Sequence, residues 1–326
     1  MPGILSLILT VLGLAVFEII TSIDNAVINA DVLRTMSERA RRWFLVWGLL
    51  VAVFVVRGLL PLLIVWASNP SLGPVGALTA TFSEDPKILH AVEQTKPVLL
   101  IAGGVFLIFL FFHWLFMEKK SYGLRGERFI HEHGLWFYTV VSLLLAAITW
   151  LAIRKDPMMA FGAVVGSTAY FITHGFKQNA EQKEKELLSK TGLSDLSKIL
   201  YLEVIDATFS VDGVLGAFAF TLSVPLIILG NGLGAFAVRE LTVRNIETVK
   251  KYKFLKNGAM YSILALGTIM VADSFGAGIP EWLSPIITFA VIGFFFAKSA
   301  KALEKEGITA SASNGRNKGI DHVVKK

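Results

Sequence analysis

Apolar stretches about as long as a bilayer is thick recur along this chain, and that recurrence constrains its architecture more than any other feature. Crossing about 30 Å of hydrocarbon at about 1.5 Å per residue takes roughly 20 helical residues. Nine windows meet that need, at approximately 4–30, 43–67, 97–116, 135–153, 158–176, 199–221, 224–240, 255–273 and 282–300. The residues are 54% hydrophobic and 17% charged, against about 25% charged in ordinary soluble domains. The first window lacks a basic leader and outruns the ~7–15 residue core of a signal peptide, so it reads as a retained helix. The expected fold is all-α: a polytopic transmembrane helical bundle of about nine spans.

The charges that remain are informative by position. Arg34, Arg39, Arg41 and Arg42 fill the first loop, Lys119, Lys120, Arg125 and Arg128 the third, and Arg244, Lys250, Lys251, Lys253 and Lys256 the seventh. Lysine also marks the fifth loop and the C-terminal tail, whereas the eighth loop holds Asp273 and Glu281 and no base. Cytoplasmic loops are enriched in Lys and Arg. The pattern therefore predicts a multi-pass membrane protein with its N-terminus outside and its C-terminus cytoplasmic. The formal charge of +6 consists of such flanking residues, and no basic face interleaved with aromatics points to nucleic acid. The absence of cysteine excludes disulfides, thiolate ligands and Cys nucleophiles. No phosphate loop, zinc-protease helix or Ser/His/Asp arrangement is visible, so neither an enzyme nor a resident cofactor is expected.

Two windows carry acids where lipid disfavours them. The first contains Glu18, Ser22, Asp24 and Asn25; the sixth contains Glu203, Asp206, Ser210 and Asp212. At an offset of 188, Glu18 superposes on Asp206, Ser22 on Ser210 and Asp24 on Asp212. The likeness extends outward: Gly48 to Arg57 and Gly230 to Arg239 share a spacing, and Gly104 and Gly258 mark similar places in the third and eighth windows. Spans 1–3 thus correspond to spans 6–8, and an offset of five helices makes the second copy cross in the opposite direction, the inverted-repeat arrangement of transporters. The expected organisation is a first repeat over 1–120, a two-span insertion with a charged helix over 121–197, a second repeat over 198–275, a last span over 276–308 and a disordered tail over 309–326.

On an ideal helix Glu18, Ser22, Asn25 and Asn29 form one stripe, matched by Asp206, Ser210, Gly213 and Ala217, while Asp24 and Asp212 lie about 120° away. Carboxylate, amide and hydroxyl oxygens make a hard ligand set for Mg, Ca or Mn. Five acids also exceed the charge of one divalent ion, so protons are expected as the exchanged partner. A purely structural alternative pairs the acids with Arg57 or Arg239 to pin helices together. His113 reads as either a relay or a packed helix residue, and His174 as interfacial.

The segments Glu18 to Asn25 and Glu203 to Asp212 resemble the paired signatures of the TerC family of membrane proteins within the LysE-type transporter superfamily, and more narrowly its DUF475 branch. The resemblance covers roughly residues 1–300 and implies inverted three-helix repeats and export of a divalent cation, the manganese ion foremost, with Glu18, Asp24, Asn25, Glu203, Asp206 and Asp212 carried over as site residues. At Gly213 such second motifs often have Ser, which implies a missing ligand. Two alternatives accompany this expectation: an amino-acid exporter, and a non-transporting scaffold or insertion factor linked to metal or tellurite resistance.

Overall fold

A computed structural model of the chain describes residues 4–323 except 49, 52, 54–56, 69, 80–85, 190–193, 245–248 and 250. The side chains of 24, 25, 27, 28, 31, 45, 68, 72, 79, 86–92, 180–189, 209, 242–244 and 306–323 also lie outside the description. Among the described residues there is helix and no strand.

The chain begins with α1 (Ile4–Thr21) and α2 (Ile23–Leu33), joined at Ser22. Backbone bonds run through the joint, from Ser22 N–H to Glu18 O at 3.0 Å and from Ala26 N–H to Ser22 O at 2.9 Å. The Thr21 hydroxyl turns back to Phe17 O at 2.9 Å, the local bonding by which Ser and Thr bend helices in apolar surroundings. The second window is not uniformly α-helical. It opens with α3 (Glu38–Trp43), passes into a π-helical turn, Phe44–Gly48, and resumes as α4 (Arg57–Ser68). Wide turns of this kind re-aim the side chains that follow them. The connection beyond is a 3-10 turn, Pro70–Leu72, and α5 (Gly73–Thr79).

The remaining helices are α6 (Pro86–Met117), α7 (Glu127–Glu132), α8 (Trp136–Ile153), α9 (Pro157–Ser189), α10 (Asp195–Ala217), α11 (Val224–Arg244), α12 (Leu255–Ser274) and α13 (Leu283–Val323). Arg154 to Asp156 separate α8 from α9 as expected. The charged run 181–189 is not a separate helix but the continuation of α9. Likewise α13 runs on as helix through most of the tail that sequence suggested to be disordered. The glycines of α10 leave that helix unbroken, as do those of α11.

α6 forms the spine of the bundle. Ile101, Val105, Leu107, Phe109 and Trp114 are almost wholly buried, and α6 packs against α9 on one side and α12 on the other. Glycine permits these approaches: a Cβ on Gly104 would lie 2.8 Å from Gly267 O, and one on Gly162 2.8 Å from Val98 O. Small residues at helix crossings are the means by which backbones meet inside lipid. α1 packs against α11, again through glycine, with a Cβ on Gly230 falling 2.5 Å from Leu14 Cβ. Large apolar side chains point outward, among them Ile4, Leu5, Leu135, Leu143, Trp150 and Phe161. Among the described residues six helices are long and apolar enough to cross a membrane, within Ile4–Thr21, Glu93–Met117, Trp136–Ile153, Val224–Leu241, Leu255–Ser274 and Leu283–Lys305.

Candidate functional site: a buried ion network

The acids of the first and sixth windows meet on one arginine. Arg57, at the first turn of α4, is 2% exposed, and its partners Glu18 and Asp206 are 1% and 6% exposed. Its Nε and Nη2 donate to Glu18 Oε1 at 2.8 and 2.7 Å, and Nη1 donates to Asp206 Oδ2 at 3.1 Å. A guanidinium stays charged in proteins and presents a planar fork of donors. It can therefore hold two carboxylates from different helices along two edges of one plane. Ser22 Oγ donates to Glu18 Oε1 at 2.7 Å, so the α1–α2 joint shares the same oxygen.

A second acid and arginine lie on neighbouring elements. Arg239 of α11 approaches Glu203 of α10 at 3.8 Å and also donates to the Phe44 carbonyl while lying over the Phe44 ring at 4.3 Å. The π-helical turn thus supplies Arg239 with both a carbonyl and a ring face, an attractive arrangement for a guanidinium. Neither Glu203 oxygen has a hydrogen-bond partner among the described residues. Gly48, at the end of that turn, leaves room for the Glu203 carboxylate, which a Cβ there would overlap. Each arginine thus bridges early and late parts of the chain: Arg57 reaches Asp206 of α10, and Arg239 reaches Phe44 of the π-helical turn.

Glycine also seats Glu18. A Cβ on Gly213 of α10 would lie 2.7 Å from Glu18 Oε2, and one on Gly234 of α11 2.6 Å from Glu18 Cβ. One turn away, Gly216 lies against the Phe17 ring. Gly213 is therefore the space that Glu18 occupies.

The other expected site residues are distributed differently. Ser210 Oγ donates to the Asp206 carbonyl at 2.5 Å and so faces its own helix. Asp212, six residues after Asp206, is carried round α10 to the α9 side and pairs there with Lys177. The side chains of Asp24 and Asn25 lie outside the described residues. Among the described residues no three carboxylate or imidazole groups form a metal cage, since arginine and lysine stand between the acids.

Lys177 escaped the sequence reading because it opens a charged run that looked like a loop. A further polar cluster also emerged. His113 and His174 lie with ring centroids 4.0 Å apart, Tyr170 stacks on His174, and Gln178 Nε2 lies 3.0 Å from His174 Nε2. Just past the end of α6, Glu118 Oε1 is 3.7 Å from His113 Nδ1 and Oε2 accepts from Lys256 at 2.7 Å. Burial opposes ionisation of Glu118, but the neighbouring His113 and Lys256 outweigh it and hold the carboxyl below its ordinary range.

A helical bundle with, among the described residues, six bilayer-length apolar helices, an apolar exterior and buried ion pairs between helices defines a membrane-embedded protein. The family is equally definite. The model of the family described as "Protein of unknown function (DUF475)" matches residues 23–306, and the chain belongs to that family. No curated protein and no solved structure matches it.

Proposed function

We propose that this protein is a secondary transporter that exports a divalent cation, with Mn2+ as the leading candidate, in exchange for protons. The observation that carries the reading is the convergence of Glu18 and Asp206 on Arg57 among apolar side chains, with Glu203 and Arg239 on adjoining elements. Ionised carboxylates are unfavourable at membrane depth and mark substrate pathways when they face a bundle interior. Hard oxygen donors of this kind suit Mn2+, Mg2+ or Ca2+.

Electroneutrality supplies a reason for exchange. The four described carboxylates, Glu18, Glu203, Asp206 and Asp212, face three cations, Arg57, Arg239 and Lys177. A divalent ion entering that set brings more positive charge than it can absorb in a low-dielectric interior, so positive charge must leave. Arg57 cannot lose its proton. It must swing away from Glu18 and Asp206, or protons must leave carboxylates that carried them. Ser22 would then offer its oxygen next to Glu18, and Asp24 and Asn25 are the remaining proposed ligands on that segment. Ser210 and Asp212 complete the proposed set on α10.

The finer architecture belongs to the same proposal. Nine spans are reached by adding windows 43–67, 158–176 and 199–221 to the six apolar helices, with spans 1–3 and 6–8 as inverted repeats, the N-terminus outside and the C-terminus cytoplasmic in a bacterial inner membrane. The reach of each arginine into the opposite repeat supports that symmetry. One observation favours a second reading, an amino-acid exporter: both in-span arginines lie in the site, where a carboxylate of a zwitterion would be recognised. Flux in proteoliposomes under Mn2+, Ca2+, Mg2+ and lysine separates them. Mn2+ uptake that is lost in Glu18→Gln supports the first, lysine flux alone the second. No flux of any of the four with folded protein favours the scaffold or insertion role.

A further inference from the structure

Asn231 on α11 is 0% exposed, and neither its Oδ1 nor its Nδ2 has a hydrogen-bond partner among the described residues. A buried amide left unpaired at both ends is strongly unfavourable. Such orphans are rare in folded proteins and require a cause.

The neighbours of Asn231 place it beside the ion network. One residue before it, Gly230 lies against Leu14 and the Val11 carbonyl of α1, and three residues after it Gly234 lies against Glu18 and the Ala15 carbonyl. On its other flank, Gly232 adjoins Val53, and Ile228 adjoins Gly58, the residue next to Arg57. At 100° per residue Asn231 points between these two contact directions, into the wedge bounded by the Leu14 to Glu18 edge of α1 and the start of α4. Ile227, Ala235 and Val238 share that buried side, while Leu229, Leu233 and Phe236 on the opposite side are exposed. Asn231 thus stands at the middle of the inward face of α11, about one turn before the Gly234 contact with Glu18 and on the side that faces α4.

We propose that the Asn231 side-chain oxygen is a ligand of the transported cation, joining Glu18 from the α11 side. The inference rests on the cation-transport reading. A neutral oxygen adds a coordinating atom for a hard divalent ion without adding charge to a site already rich in carboxylates. It also gives α11 a direct hold on the cation, so that ion binding draws together α1 and α11.

The test uses the full-length protein in lipid nanodiscs, titrated with Mn2+ alone by calorimetry, and in proteoliposomes for flux. Asn231→Leu keeps the volume and removes the oxygen; Asn231→Asp keeps the oxygen. Asn231→Leu is expected to weaken Mn2+ binding by about 10–100-fold, the range for losing one supporting interaction at a metal site, and Asn231→Asp to bind within a few-fold of wild type. Without metal the unfolding midpoint of Asn231→Leu is expected to match or exceed wild type, which separates lost binding from misfolding. Wild-type binding and flux in Asn231→Leu overturn the assignment, as does equal loss in both variants. If the wild type itself neither binds nor moves a divalent ion, the transport reading fails first, a result distinct from either of these.

Discussion

Replacing Arg57 by methionine tests the ion network most directly. Arg57, Glu18 and Asp206 are all nearly inaccessible to solvent, so the change leaves two carboxylates desolvated and unpaired by it. Removing one member of a buried ion pair destabilises by ~3–5 kcal/mol. With two acids stripped of the same partner, we expect the upper end, about 5 kcal/mol, and a fall in unfolding midpoint of roughly 10 °C or more. The exposed Arg42 and Glu38 pair, 3.6 Å apart with side chains 82% and 84% exposed, provides the internal contrast; breaking it should change stability by ~0–1 kcal/mol. The triple variant Glu18→Gln, Arg57→Met, Asp206→Asn should recover most of the loss, because no uncompensated charge remains. Thermal unfolding of purified protein, followed by intrinsic fluorescence in one detergent, measures all four proteins. If the carboxylates bind a divalent ion, Mn2+ at a hundred times its dissociation constant should return about 2.7 kcal/mol to Arg57→Met. An Arg57→Met protein as stable as wild type, with Glu18 and Asp206 intact, would refute the claim that the guanidinium neutralises them.

Other expectations concern packing and pH. Gly166→Ala would drive a methyl group into the Ala102 carbonyl of α6, backbone that cannot give way, so folded yield on gel filtration should collapse, whereas Gly293→Ala, which meets open space, should behave as wild type. Gly213→Ala presses on Glu18 Oε2 and should lower stability by about 1–3 kcal/mol and reduce any measured flux in parallel; full activity would show that Glu18 has room to spare. Lys120, in the loop after α6, has its pKa lowered to about 8 because burial outweighs the attraction of Glu127 and Glu118, and Lys256 lowers it further. Between that value and its ordinary 10.5 the unfolded chain binds the extra proton, so stability should rise with pH across this interval. Lys120→Met should remove that rise, and midpoints measured from pH 7 to 10.5 in both proteins decide it.

The features legible in the sequence were those where chemistry contradicts solvent. Glu18, Glu203, Asp206, Arg57 and Arg239 stand out because each interrupts an apolar window, and all five lie in the buried network. Features that depend on helix phase were not legible. The π-helical turn Phe44–Gly48 leaves no mark in composition, so the second window read as regular helix throughout. Asp212 shares a helix with Asp206, yet the six-residue interval turns it toward Lys177, whose own place was hidden by the charged run that follows it. Gly213 suggested an absent ligand because a sequence shows the side chain that is missing and not the carboxylate that fills the space. The pairing of His174 with His113 was not legible because nothing in the chain announces that α9 lies along α6.

The Arg57 network also bears on how the chain is assembled during synthesis. Glu18 enters the membrane on the first helix, its arginine follows 39 residues later, and Asp206 lies 149 residues beyond Arg57. Glu18 and Arg57 are thus a short-range pair in the sequence, whereas Asp206 closes the network from far along the chain. Asp206 then arrives as a late reader of that pair. Its carboxylate reaches Nη1 only when α10 lies against α1 and α4, so the complete network forms only in the packed bundle.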